Sequence, residues 1–298
     1  MDFGRLPNID HVEFTLPKEH AGNVNILPGF PSEESAVHVG CPIWAEKGWV
    51  GKIYPKGAKE KDYLKYYAEK FSTIELNATH YQVPSEDTVL RWRESVPDHF
   101  RFCPKIPQTI SHAKDLVKMS DSMMHFIEAV RPLGNKLGTS FLQLPPYFGP
   151  DKIKQLIYFL NGIPDNFPLA IEFRHEAWFT DRLKFDKIFN YLEDRLMSTV
   201  ITDVAGRRDV LHMRLSNRTA FIRFVANDLH PTDFLRIDEW TVLLKKWMEE
   251  GLKEIYFFIH TPDKSLCPEL ANRFLEKMKI PQVPLPPTDQ YKQGSLFD

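Results

Sequence analysis

A chain of 298 residues that is 43% hydrophobic and 26% charged is ordinary globular material, long enough for one large domain or two small ones. Its formal net charge of −2 excludes a blanket electrostatic pull toward nucleic acid or an anionic membrane, so any polyanion site has to be a local patch. The three cysteines at 41, 103 and 267, widely scattered and without a C-x-x-C pair, argue against a disulfide framework or a zinc ribbon and fit a reducing cytosol.

In chain order, "MDFGRLPNIDHVEF" has neither a basic start followed by an apolar core nor a cleavage box, and no run of about 18 apolar residues appears anywhere. The expectation is a cytoplasmic chain with no membrane partner. Residues 1–35 are rich in Pro, Gly, Asn and Glu and read as an irregular arm laid over the domain. A rhythm then begins. Short apolar or β-branched runs at 36–41 ("AVHVGC"), 72–77 ("STIELN"), 100–105 ("FRFCPK"), 139–144 ("TSFLQL"), 169–174 ("LAIEFR"), 198–203 ("STVITD"), 220–225 ("AFIRFV") and 255–260 ("IYFFIH") predict eight strands. Between most of them lie stretches of helical period such as "KDYLKYYAEKF", "KIKQLIYFLNGI" and "IDEWTVLLKKWMEE". Asn77-Ala78-Thr79 and Asn217-Arg218-Thr219 match the glycosylation sequon, which in a cytosolic chain reads as chance.

Eight strands alternating with helices predict an α/β chain closed into a TIM-type (β/α)8 barrel over 36–280. An open doubly wound sheet is the alternative, although its usual Gly-rich phosphate loop does not occur. The weak link follows "STVITD", where "AGRRDVLHMRLSNRT" is too short and mixed for a helix. From 281 to 298 a Pro-rich stretch reads as an extended tail outside the barrel.

Side chains alternate along a strand, so one parity of each faces the barrel interior. In "IEFR", Ile171 and Phe173 belong under helices, which turns Glu172 and Arg174 inward. The same rule gives His38, Glu75, Asn77, Lys105, Gln143, Asp203, Arg223 and His260, many of them at C-terminal strand ends, where barrel active sites are built. One reading is a ligand site; the other is a satisfied network of buried ion pairs filling the barrel.

The stretches at 38–55 ("HVGCPIWAEKGWVGKIYP"), 66–105, 137–148, 170–179 ("AIEFRHEAWF") and 255–274 resemble the DUF72 (YecE-like) family, barrel proteins of unassigned biochemical activity. The shared motifs are Glu-x-Asn-x-Thr-x-Tyr, Gln-x-Pro-Pro and Glu-Phe-Arg-x-x-x-Trp. The fold implied is a TIM barrel. Two departures, His80 before Tyr81 and "IHTPD" at the end of the eighth strand, each place a histidine near the mouth.

Two functions of different class follow. The first is a hydrolase or lyase, phosphodiesterase-like if catalytic, acting on a phosphate- or sugar-containing anion. Lys105, Arg174 and Arg223 hold the anion, with Asn77 and Gln143 beside it. Glu172 or Glu75 is the general base and His80 or His260 the proton donor, while Trp178 and Tyr81 stack on a ring. A variant adds a divalent metal on Glu172, Asp203, His230 and His260, as in barrel endonucleases acting on damaged nucleic acid, though no compact ligand spacing occurs. The second function is a non-catalytic DNA-transaction accessory protein. Its tail "QGSLF" is similar to the sliding-clamp-binding pentapeptide, with Gln293 as the polar latch and Leu296 and Phe297 as apolar anchors.

Overall fold

The structure, a computed structural model, describes residues 4–281 and 283. Eight strands follow the expected order: β1 (Ala36–Gly40), β2 (Thr73–Leu76), β3 (Arg101–Pro104), β4 (Ser140–Gln143), β5 (Leu169–Glu172), β6 (Ser198–Asp203), β7 (Thr219–Val225) and β8 (Glu254–His260). The helices are α1 (Tyr63–Ala68), α2 (Ala78–Tyr81), α3 (Glu86–Glu94), α4 (Gln108–Ser111), α5 (Ser120–Val130), α6 (Ile153–Asn161), α7 (Ala177–Thr180), α8 (Arg182–Asp194), α9 (Pro231–Glu249) and α10 (Cys267–Met278). Their ends carry recognisable stops and starts. Asp181 accepts from Lys184 N at the head of α8, and Pro231 supplies the fixed φ that opens α9. Lys279 closes α10 in the left-handed conformation at φ 62°.

All strand pairs are parallel. One ladder runs β1-β8-β7-β6-β5-β4, and β2 pairs with β3. Individual backbone bonds complete the ring: Ser72 N to Val39 O (3.2 Å) and Glu75 N to Cys41 O (3.3 Å) join β1 to β2, while Gly138 N to Phe102 O (2.8 Å) and Ile106 N to Phe141 O (2.9 Å) join β3 to β4. The architecture is therefore the TIM-type barrel that the strand count predicts.

The interior is layered. Cys103, Phe141, Ala170, Val200, Phe221, Tyr256 and Phe258 form one buried cluster inside the ring. With a side-chain period of two, the residue two places further along each strand must occupy the next layer toward the C-terminal rim. Those residues are Lys105, Gln143, Glu172, Thr202, Arg223 and His260. The opposite parity, including Ile171, Ile201, Ile222, Phe224 and Phe257, packs in the separate core under the helices.

No α-helix separates β6 from β7; Ala205–Val210 is a short 3-10 segment followed by extended chain. The N-terminal arm covers this gap. Asn23 donates through Nδ2 to Met213 O (2.8 Å) and accepts from Leu215 N (2.9 Å). His20 packs on Phe185 of α8 with ring centroids 5.5 Å apart, and Glu19 accepts from the Trp247 indole of α9 at 2.7 Å. Further along, Phe14 packs with Ile9 and Ala205 beneath the Arg236 guanidinium, 4.9 Å from its ring. The arm thus lies in the helix layer between α8 and α9.

One sequence expectation needs correction. Cys41 and Cys267 are joined in a disulfide across 226 residues of chain. Closure of the ring sets β1 beside β8, which brings the end of β1 next to the helix that follows β8. The remaining cysteine, Cys103, is a buried thiol of the interior cluster. Among the described residues no helix is long and apolar enough to cross a membrane.

Candidate functional site at the barrel mouth

The polar layer is organised around Arg223, which enters from β7 above Phe221. Its Nε and Nη2 donate to Glu75 at 2.9 and 3.1 Å, and its Nη1 reaches both oxygens of Glu172 at 3.1 Å. Glu172 also accepts from Arg174 Nε (2.9 Å), Gln143 Nε2 (2.7 Å) and Thr202 Oγ1 (3.0 Å). Glu75 receives Asn77 Nδ2 (2.9 Å) and lies 2.8 Å from His260 Nε2. Both carboxylates are buried, at 0% and 1% exposure, and survive as ions because charged donors surround them.

The ionisation of the layer follows. Burial pushes the Glu172 carboxyl upward, but Arg174 and Arg223 outweigh it and bring it down to about 2. Burial acts on Glu75 in the same way, and Arg223 and His260 hold it well below the usual carboxylate range. His260 is lowered by its own burial despite Glu75 beside it, so it is neutral at pH 7. A neutral imidazole whose Nε2–H donates to a carboxylate leaves Nδ1 as the proton acceptor.

Lys105 stands apart from this network. Its backbone is pinned, N to Leu76 O (3.3 Å) and O accepting from Thr79 Oγ1 (2.7 Å), and its side chain is 8% exposed. Among the described residues its ammonium makes no hydrogen bond or ion pair; Nζ lies 5.9 Å from the Phe141 ring centroid. Burial, and then the neighbouring Arg223, lower it to about 8. On the same side, His80 donates from Nδ1 to Ile106 O (2.9 Å), since a carbonyl can only accept, and this sets the Nδ1–H tautomer. Burial and Lys105 hold His80 at about 4. His112, with its ring centroid 5.7 Å from that of His80, is lowered by burial and by Lys105 as well. Tyr81 sits beside His80 at 5.3 Å and is 80% exposed.

Not every residue singled out in the sequence joins the cluster. The Asp203 carboxylate belongs to the opposite parity of β6: Arg236 (2.8 Å), Arg208 and the Trp240 indole (2.8 Å) take it on the helix side. Thr202 is the inward residue there, and a one-place slip in reading "STVITD" hid it. His230 caps α9, accepting from Thr232 N at 3.3 Å. The four-residue metal set therefore does not assemble, and among the described residues no three His, Cys, Asp or Glu side chains gather to hold a metal. Trp178 is 1% exposed, donates to Phe148 O (2.8 Å) and packs on Phe173 at 4.9 Å; it is core rather than a stacking platform. His38 is buried in β1 at the far end of the barrel, against Glu254 (3.5 Å) and Tyr256. Gln293, Leu296 and Phe297 lie outside the described residues.

Hollows elsewhere on the surface are built differently. One of about 890 Å³ lies between Gln82–Glu86 and the end of α5, and one of about 600 Å³ lies between the arm and α8. Neither gathers a buried carboxylate-guanidinium array like that of the mouth.

Comparison with known proteins agrees with this architecture. Residues 38–293 match the family model described as "Protein of unknown function DUF72". The UPF0759 protein YecE of Escherichia coli K12 is 31% identical over 281 residues, covering 88% of this chain and all of its own. The UPF0759 protein YunF of Bacillus subtilis 168 is 25% identical over 154 residues, 48% of this chain and 52% of its own. Two solved DUF72 family structures share the fold: one from Enterococcus faecalis V583 (TM-score 0.65, 18% identity, covering 84% of this chain and 100% of that one) and one from Thermotoga maritima MSB8 (TM-score 0.63, 23% identity, 82% and 99%). With the family model matching residues 38–293 and the Escherichia coli relative aligned along its full length, this chain belongs to the DUF72 family.

Proposed function

We propose that the barrel mouth binds a small phosphate- or sugar-containing anion and acts on it by acid-base chemistry, as a hydrolase or lyase. One observation carries the reading. Among the described residues the buried layer holds Lys105, Arg174 and Arg223 with Glu75 and Glu172, and while both carboxylates are ion-paired to guanidinium groups, the protonated Lys105 ammonium makes no ion pair. Burying an uncompensated charge is costly, and a bound anion relieves that cost.

The roles divide unevenly between the two carboxylates. Glu172 accepts from four side chains, so it serves as the anchor that orients Arg174 and Arg223 rather than as a base. Glu75 orients His260, and this pair is the acid-base unit: carboxylate to Nε2–H, with Nδ1 left to take a proton. Lys105 and the Arg174 guanidinium supply the charge that holds the anion.

Calorimetric titration with inorganic phosphate and glucose 6-phosphate, with glucose as the neutral control, tests this reading. Both anions should bind, glucose should not, and Arg174→Ala should weaken binding by roughly tenfold or more while the circular dichroism spectrum is retained. Absence of binding by either anion at ~10 mM, where even a millimolar site would be nearly saturated, overturns it.

A further inference from the structure

We propose that Lys105 is a carbonyl-reactive amine that forms an imine with an aldehyde or ketone carrying an anionic group. This deepens the reading of the mouth as an anion site and rests on it. Lys105 follows β3 directly, on the inward parity set by Cys103, so its side chain rises into the layer that holds Arg174 and Arg223.

Two backbone bonds and the flanking Ile106-Pro107 fix the root of this side chain, so the amine occupies a defined position. The two nearby carboxylates are already engaged by guanidinium groups, and none reaches Nζ. Around Nζ lie an aromatic ring, two guanidinium groups, the carboxylates of Glu75 and Glu172 that those guanidinium groups hold, and the imidazoles of His80 and His112. A structural lysine in a barrel would be paired with an acid. A desolvated amine among guanidinium groups, with the nearby carboxylates paired to those groups and not to it, is the arrangement that produces a nucleophile. At pH 7 roughly a tenth of Lys105 is the free amine, against well under a thousandth of a solvent-exposed lysine.

The step balances within the layer. The Nζ lone pair attacks the carbonyl carbon, the C–N bond forms, and the carbonyl π pair moves to oxygen. One proton passes from nitrogen to that oxygen, giving a carbinolamine. A second proton then reaches the hydroxyl, the C–O bond breaks, water leaves, and the nitrogen pair closes the iminium. His80 Nε2 and His260 Nδ1, both bare in the tautomers their hydrogen bonds impose, are the groups in the layer able to carry these protons. No oxidant or reductant is required. The anionic group of the ligand lies on the Arg174 side of the layer, as the anion site proposed above requires.

The test uses the full chain, dihydroxyacetone phosphate as the probe, and borohydride to reduce the imine to a stable secondary amine read by peptide mass mapping. The expected result is modification concentrated at Lys105, at least roughly a hundredfold above an average surface lysine at pH 7, as the fraction of free amine dictates. Inorganic phosphate should compete with it. Labelling should rise with pH toward about 8, where Lys105 loses its proton among Arg174, Arg223, Glu75, Glu172 and the imidazoles of His80 and His112. Lys105→Arg should remove the label.

Modification spread over surface lysines with Lys105 untouched overturns the proposal even when Lys105→Arg cannot be purified, because the wild-type map decides. Glycerol 3-phosphate, which has no carbonyl, separates the two readings. If it binds while dihydroxyacetone phosphate leaves no label at Lys105, the amine chemistry is wrong and the anion site stands. If neither compound binds, both readings fall.

Discussion

His260 and Glu75 lie 185 residues apart in sequence, yet the histidine Nε2 stands 2.8 Å from the carboxylate. The two are on β8 and β2, strands separated in the ring only by β1, and both are on the inward parity. Arg223 closes the same carboxylate from β7 and carries the connection on to Glu172 on β5. Four strands are thereby tied through side chains at their C-terminal ends.

Removing the centre of this network has a defined consequence. Arg223→Met leaves Glu75 and Glu172 buried without their shared cation, and breaking a buried ion pair in this way costs on the order of 3–5 kcal/mol. The loss should appear as a lower midpoint in urea unfolding. An unchanged midpoint would show that the network contributes no stability.

Acid sensitivity follows from Glu172. Its folded value, about 2, lies below the ordinary 4.5, so the stability it contributes is fully present above about pH 4.5 and drains away as pH falls toward 2. Glu75 is shifted in the same direction. Thermal melts from pH 7 to pH 2 should show a fall beginning near pH 4.5, and Glu172→Gln should flatten it. A Glu172→Gln melt that falls as steeply as wild type contradicts the assignment.

Which parts of this were legible in the sequence depends on how each was encoded. Strand order and the inward positions of Glu75, Lys105, Gln143, Glu172, Arg223 and His260 were readable because period-two alternation survives in each short run. Asp203 misled because "STVITD" is uniformly buried, with both parities under cover, so nothing in the string marks which face is which. Trp178 misled because a four-residue helix is too short to show a periodic face. The Cys41–Cys267 bridge and the seat of the arm were invisible for a different reason: both are contacts made by ring closure, between segments that share no local pattern.

The bridge makes its own prediction. Tying the end of β1 to the head of α10 restricts the unfolded chain, and a disulfide closing so long a loop is worth about 2–4 kcal/mol. A strong reductant, or Cys41→Ser, should therefore lower the melting temperature of the wild-type chain. Reductant should leave the Cys41→Ser variant where it is; a further drop there would point to another origin.

The arm can be tested at Phe14, which is 9% exposed and packed beneath Arg236. Phe14→Ala should cost about 2–3 kcal/mol, less than a fully enclosed phenylalanine because one edge borders solvent. Limited proteolysis should then cut within the first 30 residues sooner than in wild type.

The position of that arm also bears on how the molecule is made. Asn23 binds the chain at Met213, 190 residues later, and Glu19 binds Trp247, 228 residues later. The arm is thus made well before its partners and is among the last segments to find its place. At translation rates of about 5–20 residues per second it waits roughly ten to forty seconds for its partners. Its scarcity of long apolar runs keeps it soluble during that wait, and the layer between α8 and α9 is completed only after nearly the whole barrel has been synthesised.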